Sequence, residues 1–334
     1  MTMEIEDVAK ELGQHLKHNP QLVPALIYHS DITLDKHCKT ITKVKGHYPS
    51  AHTLLGHVVQ GFKAVWQELG ELEIKSKILK NYHQKVNLPI IPSDILGSYF
   101  AEYYDETKQM FLMPISQYIM QEELGPRVID DLEDLSINGV YDANNADGQY
   151  GNSLNGFAQI CLDALADAAH PAFKIPMTAL TDTNIVDQVT AFERKLPTKM
   201  KKKIKKIFMS ENNAERYILQ YEEQFGQNKF QSDTMKTRLG KREIVWLPGL
   251  ETDLIVATPE GNLAKLIDKF DSPPVVKSIQ IQDYKIKVFM EFWKGYDFLI
   301  NEMVFIANFT DAEYGLGDTA LTSKYYGFDG VVVP

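Results

Sequence analysis

Cysteine is nearly absent. The 334 residues hold only Cys38 and Cys161, and no CxxC pair. A disulfide framework and a cysteine-based zinc site are therefore excluded as organising devices. Long apolar runs are also missing, and none approaches the roughly 18 residues a membrane span needs. The opening MTMEIEDVAKELGQ is acidic and lacks an apolar h-region, so it does not read as a signal peptide. Positive charge is in deficit: 35 Lys and Arg face 45 Asp and Glu, a formal net charge of -10. Such a balance argues against a protein devoted to coating nucleic acid.

Local catalytic signatures are missing too. GxSxG, GxxxxGK[ST], GxGxxG and HExxH do not occur. Eight of the nine histidines precede residue 84, but neither His15 and His18 nor Asp35, His37 and Cys38 repeat a zinc spacing. Asp142, Asn144 and Asp147 in DANNADG fail as a calcium loop. Position 5 would be Ala146, and position 12 would be Ser153 instead of a bidentate glutamate. No catalytic, cofactor-binding or metal-ligating residue is nominated, and no enzyme or cofactor is expected.

What is present is an ordinary globular composition, 44% hydrophobic and 24% charged. The length allows one large domain or two or three subdomains. Residues 3–18 have a helical apolar stripe of Ile5, Val8, Leu12 and Leu16, stopped by Asn19-Pro20. The following segment, with two prolines, reads as irregular. Residues 55–86 alternate like strands over an unusual length, with one turn at 67–71 and Gly70 as its positive-φ position. Leu72, Ile74, Ile78, Tyr82 and Val86 fall on one face. A hairpin of that length is marginal alone and needs another surface to lie on. Residues 114–137 read as a long helix that Gly125-Pro126 should kink or divide.

Helices are also expected over 157–168, 183–194 and 198–209. In the last of these, Met200, Ile204, Ile207 and Phe208 form a packing stripe, and Lys199, Lys201, Lys202, Lys203, Lys205 and Lys206 take the other sides. A solvated or acid-paired face and an anion or nucleic-acid contact both remain open for these lysines. After Gly240 the pattern turns to strands, with a short helix in PEGNLAKLIDKF. The tail from Thr310 carries few core signals. The sum is a mixed α+β protein.

Several stretches taken together resemble a known family. VVQGFKAVW leads into HQKVNLPIIPSDILGSYFAEYYDE, then MPISQYIMQEELGPRVIDDLEDLSINGVYDAN and SLNGF. Later come FERKLPTKMKKKIKKIFMS, ERYILQYEEQFG and ATPEGNLAKLID. These resemble the major capsid proteins of tailed bacteriophages, which have the Hong Kong 97-type fold. The resemblance covers roughly residues 30–310 and rests on extended similarity and element order. It implies an N-terminal arm at 1–47 and an extended-loop hairpin at 48–88. A peripheral domain with the long spine helix would take 89–140 and 281–309. An axial domain would take 141–280 and a C-terminal tail 310–334.

The function implied is a non-enzymatic shell subunit. It would assemble into hexamers and pentamers around the double-stranded DNA of a tailed phage, through contacts of 48–88 and 1–47. An encapsulin-like compartment shell is the alternative. Portal, scaffolding or decoration proteins are the other expected partners, with no membrane. The virion shell, built in the bacterial host cytoplasm, is the expected location. Many relatives carry a long cleaved scaffolding segment, yet about 47 residues precede the hairpin here. A scaffold is therefore expected as a separate protein or as a segment already removed.

Overall fold

A computed structural model describes residues 5–19, 22–28, 31–55, 58–70, 72–91, 104–105, 110–111, 114–144, 149–226, 235–268, 276–283, 285–310 and 312–327. Two five-stranded sheets organise these residues. The first joins β1 (Lys39–Ile41), β11 (Leu263–Ile267), β13 (Lys285–Phe298) and β12 (Val276–Gln282), with β4 (Tyr82–Ile90) on the other side of β13. The second runs β7 (Phe173–Pro176), β14 (Phe305–Asn308), β10 (Ile255–Ala257), β8 (Lys206–Ser210) and β9 (Glu243–Leu247). β2 (His47–Leu55) pairs with β3 (Leu72–Lys80), and β5 (Tyr104–Asp105) with β6 (Met110–Phe111).

Helices cover the first sheet, among them α5 (Phe157–Ala166), which buries Phe157, Ile160, Cys161 and Ala164 against it. α1 (Ile5–His18) buries Val8 and Leu12 as its stripe requires, and it ends where Asn19-Pro20 begins. The next segment is not irregular. Leu22–Tyr28 forms α2, because Pro24 falls in its first turn, where a missing N–H costs nothing. Val23, Ile27 and Tyr28 anchor it in the core. The spine runs unbroken from Ile115 to Asn138, as α3 (Ile115–Tyr118), a π-helical stretch (Ile119–Leu124) and α4 (Gly125–Asn138). Helical structure continues through Gly125-Pro126, but a π-helical stretch directly precedes it and separates the two α-helical parts. At the end of the π turn the Gly125 N–H donates to the Met120 carbonyl, five residues back.

The described residues among the first 47 pack on the body through Val8, Leu12, Val23, Ile27, Ile32 and Leu34. Asp35 sits in a 3-10 turn (Leu34–His37) beneath the first sheet. Its carboxylate accepts from Lys265 Nζ at 2.9 Å, Lys294 Nζ at 3.2 Å and Tyr296 Oη at 2.7 Å. Lys294 is wholly buried and also donates to the Ile27 carbonyl, and Lys265 donates to that of Tyr28. Burial holds the Lys294 pKa below its ordinary value, against the pull of Asp35. One carboxylate and two carbonyls thus hold two buried ammoniums, and they tie α2 to β11 and β13.

The second sheet is covered on both faces. Ile207, Met209, Ile255, Ala257 and Phe305 face a core built with α6 (Ile185–Lys195) and α8 (Glu211–Phe225). Phe208, Val256 and Ile306 face the core of the first sheet. Two-sided burial removes the alternation by which a strand is recognised. This explains why the expected lysine helix over 198–209 is wrong in its second half. Residues Thr198–Lys201 form a short helix, α7, and the chain then turns into β8. Met200, Ile204, Ile207 and Phe208 are all buried, so the packing residues were right and the period was not.

The expected helix in PEGNLAKLIDKF is likewise a strand, β11, buried at every position between β1 and β13. Its Leu263, Leu266 and Ile267 happen to be spaced as on a helix. The expected divisions at 280 and 309 do not follow the sheets either. β11 and β12 pair along β13, whereas β14 lies in the second sheet between β7 and β10. The tail beyond Thr310 does hold core. α9 (Thr319–Tyr326) is capped by Asp318, closed by Gly327 at φ 76, and buries Thr322, Tyr325 and Tyr326.

Two stability measurements check these anchors. Asp35→Asn leaves two buried ammoniums without their counter-charge and should cost about 3–5 kcal/mol in urea unfolding. A loss below about 1 kcal/mol would mean that the cluster does not hold the arm. His37 supplies a pH test. Its Nδ1 lies 3.1 Å from Lys206 Nζ and its ring meets Phe208 edge-on. Burial, then the Lys206 and Lys36 ammoniums, lower its pKa from 6.5 to about 4. The unfolded chain therefore gains this proton first, and stability falls as pH drops from 6.5 towards 4. His37→Gln should flatten that part of the stability–pH curve, and an unchanged slope would contradict the assignment.

Candidate assembly surface

β2 and β3 pair antiparallel from His47 opposite Lys80 to Leu55 opposite Leu72. Side chains alternate across the ribbon, so one face holds Tyr48, Ser50, His52, Leu54, Glu73, Lys75, Lys77 and, buried at its base, Leu79. The other holds Pro49, Ala51, Thr53, Leu55, Leu72, Ile74, Ser76 and Ile78. Apart from His47 and Lys80 at its base, the second face carries no charged side chain, and it is the more apolar. In an ordinary globular domain it would point inward.

The reverse occurs. Lys77 Nζ is directed into the body, 2.6 Å from Asp297 Oδ1, 2.7 Å from Asn301 Oδ1 and 3.1 Å from the Phe298 carbonyl. Burial raises the Asp297 pKa, and the Lys77 ammonium opposes that rise. Ser50 Oγ donates to the Leu299 carbonyl. His52 Nε2 lies 2.7 Å from Tyr325 Oη, Lys75 stands over the Tyr325 ring, and Glu73 pairs with Lys324. Leu54 packs on the second core. The polar face of the hairpin is thus satisfied by its own subunit, through the end of β13 and α9.

The apolar face is left outward. Leu55, Leu72, Ile74 and Ile78 are each more than half exposed. Between the strands, residues 58–70 have no regular structure and present Val59, Phe62 and Trp66 at 90% exposure or more. Of nineteen exposed large apolar side chains among the described residues, ten lie from Leu55 to Ile78. Soluble monomers rarely concentrate apolar surface in this way, and such a patch marks an interaction site.

The hairpin differs from its expected form in two respects. Its strands are 47–55 and 72–80, not a continuous pair over 55–86, and the connection is much longer than 67–71. Gly70 does take the positive φ expected of it, at 91°. Within the described part of the connection, Gln60 Nε2 donates to the Gln67 carbonyl at 2.7 Å. The apolar face also fails to continue past residue 80. At Asn81 the chain leaves β2 and joins β13, held by Asn81 N–H to the Gly46 carbonyl and Asn81 Nδ2 to that of Val44. Gly295 makes the crossing feasible, since a Cβ there would lie 2.9 Å from the Lys80 carbonyl. Ile74 and Ile78 are therefore exposed while Tyr82 is buried.

Among the described residues no group of three or more His, Cys, Asp or Glu side chains is arranged to hold a metal. Asp147 lies outside the described residues. Cys161 is buried and free, and Cys38 is partly buried and free. No helix is long and apolar enough to cross a membrane among the described residues.

No protein-family model matches the chain, and no curated protein matches it. Solved structures do. The capsid of an empty GTA particle superposes with TM-score 0.53 at 10% identity, over 84% of this chain and 97% of that one. The procapsid of satellite phage P4 gives TM-score 0.51 at 12% identity, over 92% of this chain and 97% of that one. The capsid of a native GTA particle gives 0.51 at 8% identity, over 84% and 97%. At these identities the likeness is one of fold, and the fold is the Hong Kong 97-type fold of phage capsid proteins.

Proposed function

We propose that this chain is the major capsid protein of a tailed phage, a shell subunit and not an enzyme. The observation that carries the reading is the hairpin with its polar face docked on its own subunit and its apolar face in water. Such a ribbon is complete only when a second copy covers Leu72, Ile74 and Ile78. In this reading β2, β3 and the 56–71 connection are the extended loop. The spine helix and the first sheet form the peripheral domain, and the second sheet forms the axial domain. Hexamers and pentamers would close the shell around double-stranded DNA, with scaffolding, portal or decoration proteins as further partners. The fold is equally that of an encapsulin-like shell. The cargo of purified particles, nucleic acid or protein, separates the two.

The two faces of β3 make opposite predictions. Ile74→Asn with Ile78→Asn should leave the subunit's unfolding midpoint within about 0.5 kcal/mol of the parent, because both side chains are already exposed. The same variant should fail to form particles by electron microscopy. Lys77→Glu should instead destabilise the subunit by about 2–4 kcal/mol, since it sets a second carboxylate against part-buried Asp297. Normal particles from the Ile74/Ile78 variant would overturn the proposal. So would a hairpin face whose loss unfolds the isolated subunit.

A further inference from the structure

The lysine-rich stretch finds no role in the hairpin, yet the fold builds it into a defined surface. After α7 the backbone turns through 201–203, with Lys203 N–H and Ile204 N–H both donating to the Met200 carbonyl. A second basic segment, 236–242, is brought beside it. Glu243 N–H donates to the Lys205 carbonyl, and Thr237 N–H to that of Arg242. The lock between the two is Arg242, which is almost wholly buried. Its Nη1 donates to the equally buried Glu193 carboxylate, and its Nη2 to the Lys201 carbonyl at 2.8 Å. One buried ion pair thus holds two basic turns, some forty residues apart, in one arrangement.

The cations on these turns are largely unneutralised. Lys205 pairs with Glu260 and Arg238 with Asp187. Among the described residues, no carboxylate lies within salt-bridge distance of Arg194, Lys199, Lys201, Lys202, Lys203 or Lys241. The crowding is felt at Lys201, whose pKa is lowered by burial and then by Arg242 and Arg194. A protein with net charge -10 has ample acid to neutralise this patch internally and does not. The two segments also contain no aromatic residue, so they offer no platform for stacking unpaired bases.

We propose that the turn 201–203 and the loop 236–242 form a binding surface for the phosphate backbone of duplex DNA. Recognition is through charge alone, so it is independent of base sequence and steeply dependent on salt. The choice of DNA over other polyanions rests on the shell reading above. The patch itself does not.

The test measures binding of the purified full chain to a labelled 30-base-pair duplex over a salt series. A triple variant, Lys201→Gln, Lys202→Gln, Lys203→Gln, is compared with an equal charge loss elsewhere, Lys10→Gln, Lys17→Gln, Lys39→Gln. All six lysines are exposed, so both variants should fold, which thermal unfolding checks. The patch variant should bind about tenfold more weakly near 0.1 M salt, and its log–log salt slope should fall by about 2.7, or 0.9 for each phosphate contact. The control should change less than twofold. Equal loss in both variants would overturn the site, as would a parent chain that does not bind the duplex. Displacement of the duplex by poly-glutamate at equal charge would assign the patch to an acidic protein partner instead. Particle formation, scored separately by microscopy, tells failure of this site from failure of the shell reading.

Discussion

Lys77 can place its ammonium in only one direction. Asp297, Asn301 and the Phe298 carbonyl surround it at hydrogen-bond distances within the body of the subunit. Because a strand's side chains alternate with a period of two, fixing Lys77 inward turns Ile74, Ser76 and Ile78 outward. Glu73 and Lys75 follow Lys77 to the inner side and meet Lys324 and the Tyr325 ring. One part-buried polar contact therefore sets the pose of the hairpin, and with it the apolar face left outward. A one-residue slip would bury the isoleucines and leave Asp297 without its cation. The register is thus held by electrostatics at the base, while the energy available to the outer face is hydrophobic.

The same division runs through the chain. Interactions that complete the subunit are polar and buried: Asp35 with Lys265 and Lys294, Glu193 with Arg242, and Asn81 at the crossing of the sheets. Each fixes one segment distant in sequence against another. The surfaces proposed for partners are of simple chemistry, a mainly apolar ribbon and a cluster of lysines. The residues that set shape and the residues that meet partners are thereby kept apart. Either surface can change without dissolving the core.

Much of this was legible in the residues, and the errors have common causes. The stripe of α1, its stop at Asn19-Pro20, the positive φ of Gly70 and the strands after Gly240 follow from local pattern. β8 and β11 were misread as helix because both faces of each are buried, which erases alternation and leaves apolar spacings that suit either period. α9 went unread although Asp318 and Gly327 are ordinary start and stop signals, since Thr322 and Tyr326 do not look apolar enough to mark a core. The most informative feature lay beyond local pattern. Alternation in β3 identifies two faces, but nothing within 72–80 says which one faces inward. That decision belongs to Asp297, Asn301 and Tyr325, more than two hundred residues away.

The central claim is that the outward face of the hairpin is completed by a second copy of the chain. Electron cryomicroscopy of particles assembled from the purified chain tests it most directly. The account predicts a closed shell in which Leu72, Ile74 and Ile78 are covered by a neighbouring subunit, with Lys77 still against Asp297 of its own. A closed shell with that face open to solvent, or a hairpin turned so that Lys77 contacts the neighbour, would contradict it.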